Sequence, residues 1–289
     1  MKIFFKGLFL LFSLISTAQK TPTLFEPGKI SNGGVFGLTI SPDATRALWV
    51  SSNGKRDTLR IVESQKINGE WTTPVIASFS SSNGEWKDID PMFSPDGKLL
   101  LFQSNRNTGR QTDRKDFDIW AVALTTKGWG LPYNLGDSVN TTASESYASL
   151  TDNGSIYFMK DNEDGIGKSD IYFSELTNGK YSSPQNMGQP INTTERESNP
   201  FIAPNGKYII YFSTDSTGFG EVDLYISFRK KSKWSKPKNL GNIINSADAE
   251  FCPFYHKKEK KLYFSRQIKQ AGRFKEDIFS VDFNPKHYR

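Results

Sequence analysis

Short apolar or alternating runs recur along the chain, and polar turns containing Pro, Asp, Asn or Gly bound each of them. For example, residues 91–93 form an apolar stretch, Ser94-Pro95-Asp96-Gly97 forms a turn, and residues 99–102 form a second apolar run. Runs of this length separated by such turns are typical of β-strands joined by hairpins. The pattern therefore predicts an all-β protein made of many short strands.

The turns recur at a nearly constant spacing of 53, 57, 52 and 53 residues. They are Ser41-Pro42-Asp43-Ala44, Ser94-Pro95-Asp96-Gly97, Thr151-Asp152-Asn153-Gly154, Ala203-Pro204-Asn205-Gly206 and the degenerate His256-Lys257-Lys258-Glu259. A period slightly above 50 residues is typical of propeller-like arrays, in which each unit buries its apolar face only against its neighbours. We therefore predict a single β-propeller of about five four-stranded blades, with six blades as the alternative.

Two further motifs recur, each in four of the five units. The third strand opens with an acidic residue, at Asp118, Asp170, Asp223 and Asp277. The outermost strand carries an aromatic residue three positions before a proline, as in Trp234 and Pro237, and proline is tolerated on an edge strand. The fifth unit lacks this outer strand, so we expect residues 22–31 to pair with the C-terminal blade, close the ring and cover its edge.

These repeats resemble the TolB-type, WD-like propeller family found in exported bacterial proteins. The resemblance rests on the Pro-Asp-Gly turn, the apolar strand after it, and the Asp-Leu-Tyr strand at Asp223-Leu224-Tyr225. It covers nearly all of the chain after the N-terminal segment, and the first unit matches least well. The resemblance implies a propeller that works in the cell envelope, whereas the count of five blades comes from the repeats themselves.

The N-terminal segment predicts export. Lys2 and Lys6 precede a short apolar run, and Ser16-Thr17-Ala18 offers small residues for cleavage, which is the pattern of a secretory signal peptide. We therefore expect residues 1–18 to be removed and residues 19–289 to form one propeller domain that is periplasmic or secreted. An uncleaved anchor is the alternative. We expect this domain to be a monomer that does not span the membrane.

Charge and cysteine content narrow the function classes. The single cysteine, Cys252, excludes an intrachain disulfide. The formal net charge of +6 includes two lysines of the signal segment, and the lysine-rich stretches lack a nucleic-acid-binding motif, so we expect no nucleic acid partner. With only two histidines and no Gly-x-Ser-x-Gly motif, we expect no serine hydrolase triad, no histidine metal site and no cofactor.

An acidic residue lies nine positions before the turn glycine position, which is occupied by Glu259 in the fifth unit, in four of the five units. These residues are Asp88, Glu145, Glu197 and Glu250. They are expected at the rim of the central channel, on the face from which the third strands also start. Two interpretations stay open: the acids accept backbone N–H groups and orient the strands, or they form a negative rim that binds a partner. The four third-strand acids are interpreted as structural.

The sequence favours binding over catalysis. We expect a non-catalytic scaffold that binds an envelope protein, peptide or glycan through the acidic face, with Asp88, Glu145, Glu197 and Glu250 as ligand-binding candidates and no catalytic residue. The alternative is a carboxylate-dependent glycoside hydrolase or other sugar-active enzyme in the propeller channel, because such hydrolysis needs only two suitably placed acids. Equivalent acids in equivalent blades argue against a catalytic pair, which needs two different environments.

Overall fold

The computed structural model describes residues 20–108, 116–161, 165–270 and 273–289, and the predicted signal peptide lies outside these ranges. The described residues form five antiparallel sheets arranged as the blades of one propeller, which confirms the predicted fold class and blade count. The only helical element among them is a 3₁₀ turn, Pro285–Tyr288. Within these ranges we find no helix with the length and apolar character needed to cross a membrane.

Each blade runs outward from the central channel through four strand positions. The inner strands are Val35–Ile40, Asp88–Phe93, Glu145–Leu150, Glu197–Ile202 and Ala249–His256. The second strands are Arg46–Ser52, Leu99–Ser104, Ile156–Asp161, Tyr208–Ser213 and Lys261–Gln270. The third strands are Leu59–Ile67, Asp118–Thr125, Ser169–Ser174, Asp223–Lys230 and Arg273–Asp282.

The outer position of the first four blades is divided into short pairs of strands, as expected where proline interrupts an edge. These pairs are Glu70–Trp71 with Val75–Ile76, Gly128–Trp129 with Tyr133–Asn134, Lys180–Tyr181 with Gln185–Asn186, and Lys233–Trp234 with Lys238–Asn239. In the third blade, Leu176–Thr177 pairs with Lys180–Tyr181 as a small separate hairpin.

The N-terminal strand Thr23–Leu24 supplies the outer position of the fifth blade. It pairs antiparallel with the third strand of that blade, with Thr23 opposite Ser280 and Leu24 opposite Phe279. The backbone N–H of Phe25 continues the pairing by donating to the carbonyl of Ile278 at 2.9 Å. The predicted closure of the ring is therefore confirmed, and the chain leaves the closing strand directly toward the first inner strand.

The apolar core lies between adjacent blades. Leu101 of the second blade shares one buried cluster with Ile156 and Phe158 of the third. Tyr157 of the third blade shares another with Ile209 of the fourth. Each sheet therefore buries its faces against the sheets beside it, as the repeat pattern requires.

Every inner strand contains a β-bulge at the same position of the repeat. The residues there have positive φ angles, at 65° for Gly37, 53° for Asp90, 45° for Tyr147, 53° for Asn199 and 49° for Cys252. The pairing of each inner strand with its second strand shifts register at this point. A bulge turns a side chain away from its regular direction, and the bulge residues Asp90, Asn199 and Cys252 of three different blades contact one another.

Candidate functional site

The four predicted rim acids are fully buried at the start of the inner strands. Glu145, Glu197 and Glu250 each accept the backbone N–H of the residue four positions earlier, at 3.0, 2.8 and 2.9 Å. Asp88 accepts the backbone N–H of Ser81 at 2.9 Å. Each carboxylate thereby fixes the connection that leads into its inner strand.

Two of these rim acids also have a basic partner. Arg106 donates to Asp88 at 2.7 Å, and Arg266 donates to Glu250 at 2.6 Å. Burial raises the pKa of Glu145 to about 7 and also raises the pKa of Glu197 and of Glu250. The described contacts are those of structural acids, and ligand binding by the four residues stays a prediction.

The four predicted third-strand acids each accept a hydrogen bond from a nearby amide. The prediction that they open their strands is confirmed for Asp118 and Asp223, whereas Asp170 is the second residue of its strand and Asp277 lies inside Arg273–Asp282. The side-chain amides of Asn134, Asn186 and Asn239 donate to Asp118, Asp170 and Asp223 at 2.8, 2.7 and 2.7 Å. In the fifth blade the backbone N–H of Gly33 takes the place of the asparagine and donates to Asp277 at 2.7 Å. The closing segment therefore completes the same pattern of contacts.

The five bulge residues do not repeat in chemistry, although they repeat in position. The Sγ atom of Cys252 lies 3.6 Å from the Oδ1 atoms of both Asp90 and Asn199. The hydroxyl of Tyr147 donates to the carbonyl of Pro253 at 3.0 Å. An added Cβ on Gly37 would lie 3.0 Å from Oδ1 of Asp90. These contacts link all five blades in one layer across the channel, which we call the bulge layer.

Asp90 is the single acid of the bulge layer. It is 6% exposed, and burial raises the pKa of its carboxyl to about 7. The hydrogen bond from the Cys252 thiol and the charge of Arg56 oppose this rise, and the charge of Glu276 adds to it. Its Oδ2 atom accepts a hydrogen bond from Nε2 of Gln103. Asp90 therefore holds a proton through much of the range below neutral pH.

A second acid, Glu276, lies in a contrasting environment on the third strand of the fifth blade, level with the start of the inner strand of that blade. It is 1% exposed, forms an ion pair with Arg56 and accepts a hydrogen bond from Gln267. Its backbone bridges to Gly34, directly before the first inner strand. The Arg56 guanidinium lies 4.9 Å from the ring centre of Phe36, and 39% of its side chain is exposed.

Three polar atoms of this cluster have no hydrogen-bond partner among the described residues. They are Oε2 of Glu276, Oε1 of Gln103 and Nε of Arg56. Buried polar groups are nearly always hydrogen-bonded, so these three atoms have bonding capacity that water or another molecule can use. We call Arg56, Asp90, Gln103, Gln267 and Glu276 the channel-mouth cluster.

Neither acid of this cluster was among the residues predicted from the sequence. Asp90 could have been found by comparing the residues at the same position of the five units. The equivalent positions hold Gly37, Tyr147, Asn199 and Cys252, so Asp90 is the only acid there. Glu276 directly precedes a structural third-strand acid, and its partner Arg56 lies 220 residues away in sequence. Only the closed ring brings them together.

Comparisons with known proteins support the fold. No protein-family model matches the sequence. A thermostable family-43 glycoside hydrolase is 13% identical, with a TM-score of 0.57 over 91% of this chain and 94% of that chain. The α-L-arabinofuranosidase of Lactobacillus brevis is 12% identical, with a TM-score of 0.56 over 91% and 94%. That of Podospora anserina, in complex with cellotriose, is 12% identical, with a TM-score of 0.55 over 93% and 96%.

A curated relative matches a short part of the sequence. The putative tricorn protease homolog 2 of Streptomyces coelicolor is 39% identical over 75 residues, which is 26% of this chain and 6% of the relative. The chain therefore spans only a small fraction of the length of that relative. The solved structures, at 12 to 13% identity, support the propeller architecture alone.

Proposed function

We propose that the chain is a sugar-active propeller, and that the channel-mouth cluster supports carboxylate-dependent glycoside hydrolysis. The observation that carries this proposal is the pair of non-repeating acids, Asp90 and Glu276, in unequal environments. Asp90 has a raised pKa, and Glu276 is paired with Arg56. Glycoside hydrolysis uses one carboxylic acid that donates a proton and one carboxylate that activates water or attacks the sugar.

The roles follow from these environments. Asp90, neutral below a pH of about 7, would donate its proton to the glycosidic oxygen. Glu276, ion-paired with Arg56, would act as the second carboxylate. The unpartnered Oε1 of Gln103 and Nε of Arg56 would bond sugar hydroxyls, and Phe36 beside Arg56 offers an aromatic face.

The fold comparison adds a second, weaker argument. Three similar propellers of nearly the same length are glycoside hydrolases by name. Because one fold hosts many functions, the argument for this chain rests on its own acids and not on the likeness. The structural similarity nevertheless guides the choice of the first substrates to test. Arabinofuranosides are included because two of those proteins are α-L-arabinofuranosidases.

The test is release of 4-nitrophenol from arabinofuranosides and xylosides by the purified chain. We expect turnover that Asp90→Asn and Glu276→Gln each reduce by about a hundredfold or more. Glu221→Gln is the matched control, because that side chain is 66% exposed and paired only with Lys269 in the described ion pairs. Equal turnover by the parent and both channel variants would overturn the proposed roles.

A non-catalytic scaffold for an envelope protein, peptide or glycan is the second candidate. The observation that favours it is the burial of both acids, since Asp90 and Glu276 are each less than one tenth exposed. A scaffold would bind a saccharide or peptide without releasing product, and the Asp90→Asn variant would bind as tightly as the parent.

We also propose that the chain is exported after cleavage near Ala18 and that residues 19–289 form its single domain. The supports are the N-terminal pattern of the sequence and the propeller fold from residue 20 onward. We propose kinship with the TolB-type repeat family on the recurring turn and third-strand motifs. N-terminal sequencing of the exported protein tests the cleavage site.

A further inference from the structure

The channel has a second mouth on the opposite side of the bulge layer. A cavity of about 690 Å³ opens there, lined by residues of all five inner strands. Its floor includes Met92, Phe201 and Phe254, each two positions after a bulge residue of its strand. The cavity therefore lies directly below the bulge layer and is separate from the channel-mouth cluster.

The rim of this cavity is basic. Lys207, Lys257 and Lys286 line it and are exposed. In the described part of the chain, none of these three forms an ion pair with a carboxylate. Asp152 is the acidic side chain of the lining. Unpaired cations around a concave apolar site focus a positive potential on it.

The C-terminal segment contributes to the same mouth. Pro285 and Arg289 line the cavity, and the Arg289 guanidinium lies 5.6 Å from the ring centre of Phe228, another lining residue. The hydroxyl of Tyr288 donates to the carbonyl of Leu240 at 3.1 Å, which fixes the segment to the fourth blade. The end of the chain is thus a built part of the cavity wall.

We propose that this cavity binds a small amphipathic anion, with its apolar body on the floor and its carboxylate or phosphate at the basic rim. The volume lies within the range of about 300 to 1,000 Å³ found for small-molecule sites, and such sites combine apolar walls with a few placed polar groups. The charge of the rim selects an anion over a cation of the same shape. The site is independent of Asp90 and Glu276 and of any sugar chemistry.

Calorimetric titration with dodecanoate tests the proposal, with dodecyltrimethylammonium as the cation of equal chain length and acetate as the head group without the chain. We expect one molecule of dodecanoate to bind per chain and neither of the other probes to bind. The double variant Lys207→Gln, Lys286→Gln should weaken dodecanoate binding by about tenfold, because two rim charges are lost.

Lys98→Gln is the matched control, since Lys98 belongs to a turn on the same face but does not line the cavity. It should bind dodecanoate as the parent does, and so should Asp90→Asn, which separates this site from the proposed sugar site. Equal binding of the cationic probe would overturn the proposal. Unchanged dodecanoate binding by the double variant would overturn it as well.

Discussion

The buried carboxyl of Asp90 makes the free energy of unfolding depend on pH. Burial raises the pKa of this group from 3.8 to about 7, because the charged form loses its water. The folded chain therefore holds the proton more tightly than the unfolded chain does. The resulting stabilisation is fully present below pH 3.8 and is lost as the pH rises through about 7. A shift of about three units corresponds to about 4 kcal/mol across that interval.

The variant Asp90→Asn removes this titration while keeping the shape of the side chain. Asparagine already occupies the equivalent bulge position at Asn199, and the unpartnered Oε1 of Gln103 offers an acceptor for the new amide. We expect the free energy of unfolding of the parent to fall by about 4 kcal/mol relative to the variant between pH 4 and pH 8. Urea unfolding at each pH measures both chains.

The difference between parent and variant isolates Asp90 from the other buried acids, which titrate in both chains. Glu221→Gln serves as the control and should run parallel to the parent, because the side chain is largely exposed. Parallel curves for the parent and Asp90→Asn between pH 4 and pH 8 would refute the reasoning. If Asp90→Asn is more stable than the parent near neutral pH, the aspartate lowers the stability of the native chain at that pH. Such a loss of stability favours a functional role for Asp90.

Three further predictions concern the scaffold. Gly37→Ala should lower the free energy of unfolding by about 1 to 2 kcal/mol, because φ is 65° and the new Cβ would meet Asp90 at 3.0 Å; an unchanged melting temperature contradicts this. Glu197→Ala should cost about 1 to 3 kcal/mol in urea unfolding, because the backbone N–H of Thr193 loses its acceptor; a stability equal to the parent's would instead favour a ligand-binding role. Deleting residues 20–26 should lower the melting temperature and cause self-association in light scattering, because the fifth blade loses its covering strand; a stable monomer would contradict the closure.

The fold could be predicted from the sequence because its strongest signals repeat. The turns near Asp43, Asp96 and Asn205 fix the period, and a missing outer strand at one end of the chain predicts the closing strand at the other. The acids that repeat with the same period were visible for the same reason. Acids that recur at one position in four of the five blades are expected to have a structural role common to those blades, and Glu145 and Glu197 accordingly hold the connection that enters their inner strands.

The candidate site could not be predicted from the period, because its residues break it. Asp90 matters through a raised pKa that depends on burial in the closed ring, and Glu276 meets Arg56 only after the first and fifth blades come together. The cavity on the opposite face likewise depends on all five inner strands and on the C-terminal segment. Lys207 and Lys257, which lie in or beside the repeating turns, also line that cavity.

Hydrogen exchange of the Glu276→Gln variant with and without saccharide tests the central claim most directly, because a blocked reaction leaves the ligand in place. The probes are xylotriose and arabinose-substituted xylan fragments. We expect slower exchange in peptides covering residues 33–37, 53–58 and 273–277, which surround the channel-mouth cluster, and no change at residues 285–289. Exchange that is unchanged around the cluster with every probe would contradict a sugar site at this mouth of the channel.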